Sequence, residues 1–175
     1  MERAIEWLAP SPALVIGGRA MLAYGLPRST VDLDLLLPHA DALRRPPPPA
    51  ADVEVRVASD STDPLDGVVE WSGEEGDERV PVQVVVLERR WLLPLLAEQG
   101  PALRMGELTL PVVAAPAFVA LKLYAGGPRD RADLALLATH RDWERWRAEF
   151  EAVLATMPPL VQKRWHRWRP GEPEE

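Results

Sequence analysis

Ala13-Leu14-Val15-Ile16-Gly17-Gly18-Arg19-Ala20, followed by Val31-Asp32-Leu33-Asp34-Leu35-Leu36-Leu37, is the stretch that decides the fold. Its first four residues read as a short buried strand, and Arg19 to Tyr24 has the composition of a helix start. The glycine pair therefore lies at a strand-to-helix turn. Thirteen residues (19 to 31) separate the glycines from Asp32. Side chains alternate along a strand, so Asp32 and Asp34 project to one face while Val31, Leu33, Leu35 and Leu37 project to the other. Two carboxylates at that spacing repel unless a cation sits between them. Oxygen-only ligands of this kind suit Mg²⁺ or Mn²⁺, ions that also carry substrate phosphates. With no side chains at Gly17 and Gly18, a phosphate can approach the backbone amides and the positive end of the helix. Arg28 and Thr30 add a charged donor and a hydroxyl just upstream of the carboxylates. Each half of the pattern has a plain structural reading by itself, as a turn or as a strand with one wet face. Their conjunction at this separation favours nucleotide binding.

Working outward, residues 2 to 9 read as a helix with Ile5 and Leu8 on one side. Pro46 to Pro49 makes a stiff exposed loop. Strands are expected near 52 to 58, 67 to 71 and 79 to 87, with Asp63-Pro64 and the acidic Ser72 to Asp77 as turns. Leu92 to Gln99 reads as helical and Leu108 to Val113 as a last short strand, and helices dominate from Pro116 onward. The expected architecture is α+β: a mixed sheet packed with helices over residues 1–114, followed by a helical part over 115–175.

Composition bounds the class. The chain has 175 residues, 47% of them hydrophobic, and a formal net charge of -7. That is enough for one good core plus a helical extension. No segment approaches the roughly 20 apolar residues that span a bilayer, and Met1 to Trp7 lacks the apolar stretch of a signal peptide, so the expected location is the cytoplasm. With no cysteine, disulfides and thiolate metal sites are excluded. His39, His140 and His166 show no ligand spacing and read as surface or cap residues.

The run Gly17-Gly18-Arg19-Ala20, then Gly25, Arg28, Thr30 and Asp32-Leu33-Asp34-Leu35, resembles the signature of the DNA-polymerase-beta-type nucleotidyltransferase superfamily. Within it the run is most similar to the small bacterial group of AbiE-type and related toxin-antitoxin nucleotidyltransferases. A second block, Leu121-Lys122-Leu123-Tyr124-Ala125 with Arg129-Asp130-Arg131-Ala132-Asp133-Leu134, is similar to the lysine and arginine-aspartate helix motifs of those proteins. The resemblance implies that the sheet is nucleotidyltransferase-like, that Gly17 and Gly18 hold a nucleoside triphosphate substrate, that Asp32 and Asp34 bind Mg²⁺ or Mn²⁺, and that Lys122 faces the phosphates across a cleft. It implies in-line transfer of a nucleoside monophosphate to a hydroxyl of RNA, tRNA included, or of protein, and a cognate antitoxin as partner.

The chain departs from that pattern at Val80-Pro81-Val82-Gln83-Val84-Val85-Val86-Leu87, where the family carries a third carboxylate. Here Gln83 stands at the aligned position. A glutamine carbonyl can coordinate a metal, but it carries no charge and cannot act as a general base. Glu54, Glu70 and Glu88 are the neighbouring carboxylates that could substitute. Two other classes therefore stay open: transfer to a small molecule of the aminoglycoside type, and a degenerate member that binds nucleotide or a partner without chemistry.

Plain readings stand beside these. Lys122 in an apolar helix can be a lysine snorkelling from the core edge, and Asp130 can be a first-turn acidic residue or cap. The tail Lys163-Arg164-Trp165-His166-Arg167-Trp168-Arg169 could grip RNA through phosphates and stacking. The favoured reading packs Trp165 and Trp168 on Trp143 and Trp146, because an acidic chain offers no general attraction to RNA.

Overall fold

The computed structural model describes residues 13–47, 52–60, 63–75 and 77–168. Contacts divide the chain into two compact units, Met1–Arg89 with Gln99–Val113, and Arg90–Glu98 with Ala114–Glu175. The helix expected at residues 2 to 9 lies outside the described residues, as does part of the polyproline loop.

Among its described residues the first unit is a seven-stranded mixed sheet with one α-helix, in keeping with the α+β expectation. Its elements are β1 (Leu14–Val15), α1 (Gly17–Ala23), β2 (Leu33–Leu37), β3 (Glu54–Val57), β4 (Gly67–Glu75), β5 (Glu78–Val86), β6 (Gln99–Met105) and β7 (Leu108–Val113). The strand order is β3-β4-β5-β2-β1-β7-β6. β2 runs parallel to β5, with Leu33 opposite Val82 and Asp34 opposite Gln83, and antiparallel to β1. β1 in turn runs parallel to β7 through Val15 and Val112. Central strands buried on both faces need continuous apolar runs. Accordingly Leu33, Leu35, Leu36, Val82, Val84, Val86 and Val112 are buried, and Ala20 and Met21 of α1 are buried with them. Pro81 is tolerated because β2 begins only at Leu33, opposite Val82, so Pro81 has no ladder neighbour on that flank.

Four expectations are corrected. Val31 lies before the strand and is 68% exposed instead of core-facing, since β2 starts at Leu33. The acidic turn is shorter than Ser72 to Asp77, because β4 and β5 stay paired out to Glu75 and Glu78. Leu92 to Gln99 holds only a 3-10 turn at Leu93–Leu96, with Pro94 near its start, and Gln99 already belongs to a strand. Gln99–Met105 is a strand that the sequence hid behind Gly100 and Pro101. It survives because it is an edge strand with a bulge between Gln99 and Ala102.

The second unit is helical: α2 (Ala115–Ala125), α3 (Pro128–Leu137), α4 (Trp143–Val153) and α5 (Pro159–Trp168). Gly126 ends α2 in the left-handed conformation (φ 68), its N–H donating to Lys122 O at 2.8 Å. α3 begins with Pro128, and the Asp130 carboxylate accepts from Gly127 N at 2.9 Å, so the first-turn reading of Asp130 holds. Trp143, Trp146 and Phe150 form the buried stripe of α4, and Val161 and Trp165 that of α5. Trp165 has no exposed surface and packs edge-on against Phe150 at 4.9 Å, with Trp143 at 6.3 Å and Trp168 at 5.6 Å. Trp168 meets Trp143 at 5.9 Å, whereas Trp146 stacks on His140 at 4.3 Å.

Candidate functional site

The site is assembled around the turn from β1 into α1. Gly17 has φ 65, a conformation that L side chains rarely adopt. A Cβ there would fall 1.9 Å from Asp34 Oδ2, so the volume that this glycine leaves empty is filled by the Asp34 carboxyl group. Gly18 shows the same relation to Thr30, whose Cβ and Cγ2 would each lie 2.7 Å from an added Cβ. The two glycines are thus required by the carboxylate and the threonine packed against them, a reason the sequence did not reveal. Backbone bonding fixes the register, with Ile16 N donating to Asp34 O at 2.9 Å.

Asp34 is half-buried within β2, while Asp32 is exposed just before the strand. The chain at Asp32 is held by Arg19, whose Nε donates to Asp32 O and Nη2 to Val31 O, each at 3.1 Å. A guanidinium fork spanning two successive carbonyls fixes the backbone that presents the first carboxylate. Arg19 was part of the recognised run, but nothing in the sequence assigned it this contact. Arg28 is half-buried in the connection between α1 and β2.

Gln83 stands directly opposite Asp34 across the parallel β2–β5 pair. Its amide does not turn to Asp34. Nε2 donates to Glu70 Oε1 at 2.5 Å, and Arg56 Nη2 donates to Glu70 Oε2 at 2.9 Å. Glu70 pairs with Gln83 across β4–β5, and Glu54 pairs with Glu70 across β3–β4, so Glu54, Glu70, Gln83 and Asp34 form one row over four strands. Glu88 is not in this row: it lies beyond the far end of β5, and its Oε2 accepts from Ala40 N at 2.9 Å. Among the described residues no three His, Cys, Asp or Glu side chains gather as a metal-binding group.

Lys122 belongs to the helical unit. Its Nζ lies 2.8 Å from Asp133 Oδ2 and 2.9 Å from Asp130 Oδ1, and 5.4 Å from the centre of the Phe118 ring. Asp133 is the one charged residue that is buried among the described residues. Burial pushes the lysine pKa down, but the bonds and charges of Asp133 and Asp130 outweigh it and leave it above the ordinary value. Lys122 is therefore a charged, paired lysine inside its unit and does not snorkel. In the basic tail, Arg164 donates to Leu123 O at 2.8 Å and Tyr124 O at 2.6 Å, capping α2. With Trp165 buried as well, two residues of this stretch are structural, in line with the favoured packing reading over the nucleic-acid alternative.

No protein-family model matches the chain, and no curated protein matches it. Six solved chains do. One is an antigenic nucleotidyltransferase-like protein from Paracoccidioides brasiliensis, 15% identical, with the match covering 88% of this chain and 77% of that one at a TM-score of 0.40.

Proposed function

We propose that this protein carries a nucleotidyltransferase site that moves a nucleoside monophosphate from a nucleoside triphosphate to a hydroxyl of RNA, tRNA included, or of protein, in the manner of the toxin-antitoxin group it resembles. The observation that supports this reading is the mutual fit of Gly17 and Asp34, which joins the glycine turn and the acidic strand in one locus. The donor set suits a single divalent ion. Asp32 and Asp34 would hold Mg²⁺ or Mn²⁺, Gln83 would add a neutral carbonyl, and phosphate oxygens and water would complete the shell. Bound there, the ion would offset the charge of the phosphates and of the departing pyrophosphate. The chain itself contributes positioning. Arg19 fixes the backbone at Asp32. Arg28 and Thr30 are assigned to the triphosphate. The acceptor proton must leave through a carboxylate or water, because Gln83 cannot take it.

A second reading, nucleotide binding without transfer, is favoured by one observation: the position opposite Asp34 is neutral and its amide is tied to Glu70. Calorimetric titration of each ribonucleoside triphosphate with Mg²⁺, alongside label transfer to RNA and protein acceptors, decides between them. Metal-dependent binding that is lost in the Asp32→Ala, Asp34→Ala double variant, with label transferred, is the expected result. Binding without transfer, converted to transfer by Gln83→Asp, would select the second reading. No triphosphate bound at all would overturn both.

A further inference from the structure

The row across β3, β4, β5 and β2 sets Gln83 between a carboxylate on each side, Glu70 and Asp34. Glu54 and Glu70 are directly opposed like charges, an arrangement that weakens a sheet unless a cation intervenes. Arg56, two residues along the same face of β3, supplies that cation to Glu70. Thus pinned, Glu70 takes the amide nitrogen of Gln83 on the β4 flank of β5. Asp34 is the immediate neighbour of Gln83 on the opposite flank. Amide oxygen and nitrogen diverge from one carbon, so a nitrogen committed to Glu70 on β4 turns the oxygen away from β4, to the side on which Asp34 lies.

We propose that Glu70, held by Arg56, is a positioning residue that presents the Gln83 carbonyl oxygen to the divalent ion carried by Asp34. This rests on the nucleotidyltransferase reading. It explains how the chain keeps a ligand at the position where the third carboxylate is missing: a negative charge is moved one strand outward and acts through the amide. Orienting partners of this kind change metal affinity about 10–100-fold when removed.

The test is Mn²⁺ titration of the full chain followed by electron paramagnetic resonance, which needs no turnover. Glu70→Ala is expected to weaken Mn²⁺ binding about 10–100-fold, and Glu70→Gln, whose amide oxygen can still accept from Gln83, to restore most of it. Arg56→Ala, at a largely exposed side chain that folding tolerates, should weaken binding in the same direction. Gln83→Ala should match Glu70→Ala, and the double variant should lose no more than either single one, a coupling that a purely structural role would not produce. Wild-type affinity in both Glu70→Ala and Arg56→Ala, with binding lost in Asp34→Ala, would overturn the positioning proposal while leaving the site reading intact. No Mn²⁺ bound by the unaltered protein would overturn the site reading and this inference with it.

Discussion

Gly17 concentrates two constraints in one residue, a positive φ and a carboxylate where a Cβ would be. Gly25 carries the first without the second: its φ is 76 and nothing lies within 4 Å of an added Cβ. The two alanine variants therefore separate backbone strain from displacement of Asp34. Gly25→Ala should cost about 1 kcal/mol through the backbone. Gly17→Ala should cost more, about 2–4 kcal/mol with the contact added, as read from urea midpoints, and it alone should impair Mn²⁺ binding. The residues of this locus were legible because glycine and aspartate are chemically conspicuous at fixed spacing. Their partners were not. That Asp34 fills the space at Gly17, that Arg19 holds two carbonyls, and that Glu70 sits beside Gln83 all depend on which strands are neighbours, and alternation within one strand does not encode its neighbour. Glu54, Glu70 and Glu88 looked equivalent in sequence, and the strand order and register separated them.

At the scale of elements, the pair α2 and α3 is joined by one lysine and two aspartates. Lys122 is the cation paired with the buried Asp133, and breaking a buried ion pair from one side is costly, so Lys122→Met should destabilise the protein by about 3–5 kcal/mol in urea unfolding. The pH dependence has a definite sign. The folded lysine pKa is raised above the ordinary 10.5, so its contribution is full below that value and is lost as pH climbs through the higher folded value. The unaltered protein should therefore lose stability in that alkaline window, and the Lys122→Met variant should lack that component of the loss. Element existence was largely legible, since the strands of the sheet and the helices after Pro116 follow from hydrophobic patterning. The failures have local causes. The stretch expected as a helix to Gln99 gives way to a strand that starts at Gln99, and Gly100 and Pro101 disguised that edge strand, where neither residue carries its usual penalty.

For the whole molecule, the helical unit draws on two separate stretches of chain, because Arg90–Glu98 joins Ala114–Glu175. A cut at the composition change near residue 115 would strand Trp91, whose ring lies 5.4 Å from that of Tyr124. Residues 115–175 expressed alone should accordingly melt at a lower temperature than a fragment beginning at residue 90, as followed by circular dichroism. Equal melting would show that the short segment adds nothing. The sheet has a comparable dependence on distant chain. β1 is only Leu14–Val15, and it is the strand that links β2 to β7, where Val15 meets Val112. Contacts between such separated positions close late, because the loop entropy must be overcome first. During synthesis at about 5–20 residues per second, on the order of 5–20 s pass between the emergence of those two valines. Throughout that interval the nascent chain holds an unpaired edge beside its most apolar strand. The interval places this sheet's greatest hazard of mispairing in the period of synthesis itself.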